Sequence, residues 1–181
     1  MMLSGLLPPM LSLAAAAPVP VSDLHVVGNL TLALRHDTQT LERLEPAGDK
    51  GFDFVPAGRA AARRGDGYNH IGDLHLRVRT VAGTWRDFSS ARARRPIRAL
   101  PIAGSVIARA DITATMGAGF PLTVERTWLR QGGVPVMRIT LANPGRRPVE
   151  VGGMGLPMVF DNIITDRTLD QAHAQASFVD P

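Results

Sequence analysis

The chain has 181 residues, 45% hydrophobic and 20% charged, enough for one domain of ordinary size with its own core. It contains no cysteine, which excludes a disulfide framework and a thiolate metal site. The formal net charge is only +4 and Lys50 is the single lysine, so the basic balance reads as an arginine bias in composition and not as a nucleic-acid surface.

Eighteen glycines and fourteen prolines argue for many turns, and so for short strands in place of long helices. Residues 1–22 carry no charged side chain, and Leu3 to Ala17 form an apolar run that ends in four alanines. This resembles the apolar region of a secretory signal peptide with a small-residue cleavage site, although a basic start is missing; the alternative is a disordered, proline-rich leader. Pro8, Pro9, Pro18 and Pro20 would spoil a helix barely long enough to cross a bilayer, so no membrane span is expected. The expected setting is secreted or periplasmic, with one domain over residues 23–181.

From Leu24 the pattern becomes alternating, most clearly over Leu30 to Arg35, as in a half-buried antiparallel strand. His36 to Gln39 supply a polar turn into a second strand around Thr40 to Glu45, closed by Pro46-Ala47-Gly48-Asp49. Gly51 to Pro56 alternate two aromatics with an aspartate before an Ala, Arg and Gly-rich loop. In the next strand Leu74, Leu76 and Val78 point one way and Asp73, His75, Arg77 and Arg79 the other, which predicts a wet, basic outer face. Trp85 to Ser90 read as a polar loop leading to the arginine cluster Arg92, Arg94, Arg95 and Arg98.

Ser105 to Thr115 form a further strand candidate. Pro121 to Arg130 and Val134 to Asn143 make the strongest hairpin, joined through Gln131-Gly132-Gly133. Asn143-Pro144-Gly145 then turns the chain into a strand at Pro148 to Val151. About eight short strands imply an all-β, antiparallel β-sandwich or a closed barrel. A single short C-terminal helix is expected from Thr168, with a capping-box spacing to Gln171 and Leu169, Ala172, His173 and Ala176 on one face.

Several constellations could carry chemistry. His70, Asp73 and His75 are of metal-ligand type, but His70 lies across Gly72 with no fixed direction, so a solvated strand face is the favoured reading and no metal or cofactor is expected. Asp161, Asp166 and Asp170 crowd the last stretch, where carboxylate pairs would suit glycoside hydrolysis; Asp166 is better explained as complementing the positive end of the helix. The arginine cluster lacks the aromatic platforms of nucleic-acid readers, so no nucleic-acid partner is expected. Gly152-Gly153-Met154-Gly155 opens onto Leu156-Pro157 and not onto a helix, which excludes a phosphate loop.

Four segments carry a family resemblance: Gly51 to Phe54, Gly67 to Leu74, Pro121 to Trp128 and above all Val149 to Pro181. On them the chain resembles the N-terminal part of a family of secreted proteins of unknown function, the domain-of-unknown-function family 5695, related to glycoside hydrolases. The resemblance implies a large, supersandwich-like β-sandwich preceding a helical-barrel domain. In such proteins the sandwich usually supports the barrel and the acid and base lie in the barrel, so no catalytic residue carries over. The family continues past Pro181, so the expectation is a chain cut short at its C-terminal end, with a helical catalytic domain as its missing partner.

The leading expectation is a non-catalytic sandwich that supports such a domain or binds carbohydrate. Trp85, Phe88 and Tyr68 are the candidate sugar platforms, while Trp128 continues the Leu122 and Val124 strand face and belongs to the core. The alternatives are a small glycoside hydrolase using Asp161 or Asp166 with His173, and a basic module binding polyanions through Arg92, Arg94 and Arg95.

Overall fold

The computed structural model describes residues 22–48, 52–56, 62, 64–81 and 83–160. Among them are ten strands: β1 (Ser22–Val27), β2 (Leu30–Arg35), β3 (Leu41–Pro46), β4 (His75–Thr80), β5 (Arg86–Ser89), β6 (Arg98–Ala99), β7 (Val106–Asp111), β8 (Thr123–Gln131), β9 (Val134–Ala142) and β10 (Val149–Gly155). They form three sheets of order β1-β2-β3, β10-β4-β5 and β6-β7-β8-β9. Every pairing is antiparallel, as expected of an all-β chain built from short connections.

The β8–β9 hairpin sits where the glycine pair requires it. Gly132 and Gly133 both have positive φ, 57° and 76°, the two central residues of a tight hairpin turn. Its nine-residue strands stay in register from Gln131 opposite Val134 to Thr123 opposite Ala142.

Two apolar clusters fill the interior. Val27, Leu32, Leu34 and Leu41 of the first sheet pack with Val55, Ile71, Ile107 and Trp128. Leu76, Val78 and Phe88 of the second sheet pack with Leu74, Ala110, Ile112, Met116, Leu122 and Val124. Val124, Arg126 and Trp128 share one face of β8 by alternation, so a single strand of the third sheet serves both clusters. The first two sheets therefore lie side by side against one face of the third, a sandwich with one continuous layer and one divided layer.

Arg126 sits on β8 between the two clusters, 1% exposed, and donates to the carbonyls of Gly72 and Thr38. Trp128 donates its indole N–H to the Gln39 carbonyl at 3.0 Å, which places it in the core as its strand phase demands. Gly72, at φ 110°, lets the chain pass beneath both side chains: a Cβ there would lie 3.3 Å from each and 3.2 Å from Thr40 Cα.

Three details differ from the sequence reading. Strands β5 and β6 arise in stretches that read as loops, because four and two residues are too few to display alternation and their strand character comes from pairing. The strand over 105–115 stops at Asp111, whose Oδ1 accepts the Thr113 N–H at 2.9 Å and turns the chain into a single 3-10 turn, Thr113–Met116. Strand β10 runs beyond Val151 through the glycines, with a bulge between Val151 and Gly153. The helix expected from Thr168 lies outside the described residues.

Candidate functional site

The second sheet presents a polar outer face. Leu76 and Val78 of β4 point inward, so His75, Arg77 and Arg79 point outward. Register sets their neighbours: His75 lies between Gly155 and Ser89, Arg77 between Gly153 and Asp87, and Arg79 opposite Glu150. With glycine at both β10 positions, this strand contributes only backbone beside His75 and Arg77. The result is a shallow depression of about 250 Å³ lined by His75, Arg77, Asp87, Gly153 and Gly155, with Leu76 and Phe88 also contributing.

His75, Arg77 and Arg79 each meet a neighbour on this face. His75 Nε2 lies 2.8 Å from Asn69 Oδ1, an acceptor, so Nε2 carries the proton; Ser89 Oγ is 3.3 Å from the same nitrogen. Arg79 donates twice to Glu150 Oε2, at 3.0 and 2.7 Å, and its guanidinium lies 4.6 Å from the Trp85 ring centre. Arg77 approaches the same ring at 5.9 Å. Trp85 also packs on the β10 bulge, where a Cβ at Gly152 would fall 2.6 Å from its Cη2 and Cζ3. The half-buried indole is thus held beside Arg77 and Arg79.

The loop that delivers Asn69 is anchored from below by Asp73. This aspartate does not share the outer face with His75; it precedes β4, turns inward and is 1% exposed. Its Oδ1 accepts from Ser90 Oγ and Arg94 Nη1, and its Oδ2 from the His70 N–H and Arg94 Nη2, all at 2.7 Å. Burial alone would raise its pKa, but the bonds and charge of Arg94, with the Ser90 hydroxyl and His70 amide, hold it below the ordinary carboxylate range. A carboxylate with four donors is a structural anchor, and its oxygens are committed. Burial pushes the Arg126 guanidinium down to about 10, against the favourable charge of Asp73.

Of the aromatic candidates, Tyr68 is exposed, Trp85 is half-buried on the outer face, and Phe88 is 7% exposed and packed edge-on against Phe120, 5.0 Å between ring centres. Phe88 is therefore chiefly a core residue, and contributes only slight surface to the lining of the depression. The arginine cluster is dispersed: Arg94 turns in to Asp73, Arg98 pairs with Asp111 at 2.6 Å, and Arg92 and Arg95 remain exposed. Asp161, Asp166, Asp170 and His173 lie outside the described residues. Sequence reading missed Asn69, Asp87, Ser89, Gly153 and Gly155 as a group, because only the pairing of β5 and β10 with β4 brings them together.

The fold and this face define an antiparallel β-sandwich domain with a polar, open sheet surface. Residues 33–181 match the model of the Family of unknown function (DUF5695), and the chain belongs to that family. No curated protein and no solved structure matches it.

Proposed function

We propose that the chain is a non-catalytic, carbohydrate-binding β-sandwich that uses the outer face of the β10-β4-β5 sheet. The observation that carries this reading is the convergence of Asn69, His75, Arg77, Asp87 and Ser89 beside Trp85 on a strand pair floored by glycines. Sugar hydroxyls are met by such planar, oriented donors and acceptors, and the apolar C–H faces of sugars by an indole. At about 250 Å³ the depression is smaller than the roughly 300–1,000 Å³ of enclosed ligand pockets, which suits a chain crossing an open surface.

The binding reading is preferred to hydrolysis at this face because, among the described residues, Asp87 is the one carboxylate lining the depression, whereas glycoside hydrolysis uses two carboxyl groups facing each other across the scissile bond. In a larger protein the same sandwich supports a catalytic domain of glycoside-hydrolase type, as the family resemblance implies. The reading extends to a secreted or periplasmic setting, supported by the uncharged apolar run from Leu3 to Ala17.

Retention on immobilised polysaccharides tests the reading. Binding should be saturable and weakened about tenfold in Trp85→Ala and Asp87→Asn. Absence of retention across neutral and acidic polysaccharides, or retention indifferent to both substitutions, would sink it. Glycoside turnover abolished by Asp161→Asn would favour the hydrolase reading in its place.

A further inference from the structure

The β1–β2 turn belongs to the first sheet, apart from the outer face of the β10-β4-β5 sheet. Asn29-Leu30-Thr31 places a threonine two residues after an asparagine with no proline between them, the acceptor pattern for N-linked glycosylation. The other asparagines lack it: Asn69-His70-Ile71, Asn143-Pro144-Gly145 and Asn162-Ile163-Ile164 have no hydroxyl at the third position. One acceptor is therefore written into the sequence.

The pattern alone does not make a site, because an asparagine turned into a sheet or a core cannot carry a bulky group. The fold brings Asn29 out. Val27 pairs with Leu30, so Gly28 and Asn29 are the two central residues of a tight hairpin turn, with the glycine first at φ 57°. Gly28 abuts the tip of the β8–β9 hairpin, where a Cβ would collide with the Gly133 carbonyl, and this fixes the turn. Asn29 itself is exposed. Its carbonyl accepts the Ala47 N–H at 2.7 Å, while its side-chain amide meets no hydrogen-bond partner among the described residues. The backbone is committed and the side chain is not, as a surface attachment point requires.

The surroundings suit such a group. Strand β1 is an edge strand, and its Leu24 and Val26 are each 59% exposed. An apolar edge invites pairing with another chain, and a bulky, solubilising glycan at its end obstructs that approach.

We propose that Asn29 is an N-glycan attachment site, whose donor is an oligosaccharide carried on a lipid diphosphate. Asn29 Nδ2 bonds to the sugar C1 as the C1–O bond to the diphosphate breaks; the lipid diphosphate leaves with the bonding pair and Nδ2 gives up one proton. The inference rests on the secreted setting proposed above and is independent of what the outer face binds.

Expression of the full chain in a eukaryotic secretory host tests it, once with its own N-terminus and once behind an added signal peptide. Protein recovered from the secretory pathway should show one discrete upward step in mass that peptide N-glycosidase removes. Asn29→Gln and Thr31→Ala should each lose the step, and Thr31→Ser should keep it. If only the chain behind the added signal peptide enters the pathway and carries the glycan, the site stands and the secreted setting falls. Unmodified protein recovered from the pathway, or a step that persists in Asn29→Gln, would overturn the proposal.

Discussion

Arg94 grips the carboxylate of Asp73 with two parallel hydrogen bonds of 2.7 Å, one to each oxygen, across 21 residues of sequence. The pair joins the turn before β4 to the segment after β5, and it does so in the interior, where such bidentate geometry is best protected from solvent. It also carries the loop that positions Asn69 and hence His75 on the outer face.

Removing one partner leaves the other charge buried. Asp73→Ala should therefore lower the unfolding free energy by about 3–5 kcal/mol, read from urea denaturation. The loss should be at least as large as for Arg94→Ala, because without Asp73 the two cations Arg94 and Arg126 face each other unshielded.

The same anchor sets an acid limit. The folded pKa of Asp73 lies below the ordinary value of about 3.9, so its stabilisation is complete above that pH and is lost as pH falls through the folded value. Asp37, Asp111 and Glu125 are depressed in the same direction: burial opposes the shift at Asp37 and Asp111 but is outweighed by hydrogen bonds and nearby arginines, while Arg109 leads at Glu125. Urea midpoints should thus be level near neutrality and drop below about pH 4, and the drop should be shallower in Asp73→Asn.

Gly72 and Gly67 make a paired test of backbone freedom against space. Both have positive φ, 110° and 84°, but a Cβ at Gly67 meets nothing within 4 Å while one at Gly72 meets Thr40, Arg126 and Trp128. Gly67→Ala should cost about 1 kcal/mol for its conformation alone, and Gly72→Ala clearly more, as measured by thermal unfolding.

How far these features were legible in the sequence depended on range. Alternation identified β2, β4, β8 and β9 and put Trp128 in the core, because period two is a local signal and Trp128 is in phase with Val124. The same alternation misassigned Asp73: Leu74 keeps phase with Leu76 and Val78, but Asp73 precedes β4 and is covered by Ser90, Arg94 and the His70 amide, partners that alternation does not reveal. Phe88 read as a loop aromatic because the strand that buries it exists only through pairing with β4. The outer face needed three strands separated by up to 80 residues of sequence, from His75 to Gly155, a distance at which spacing carries no information.

The Trp85 seat can be checked spectroscopically. A methyl at Gly152 would sit 2.6 Å from the indole, so Gly152→Ala should displace the ring and shift its fluorescence emission. Adding the same change to Trp85→Phe should leave the remaining Trp128 emission where it was. If the proposed function holds, Gly152→Ala should also weaken polysaccharide retention.

Strand β8 contributes Val124 to one apolar cluster and Trp128 to the other, with Arg126 between them bonded to the turns that lead into β3 and β4. Neither half of the divided layer can detach without exposing part of this strand. The two cores are thus a single cooperative unit, and native-state hydrogen exchange should find the amides of β8 opening only with global unfolding, in step for both halves.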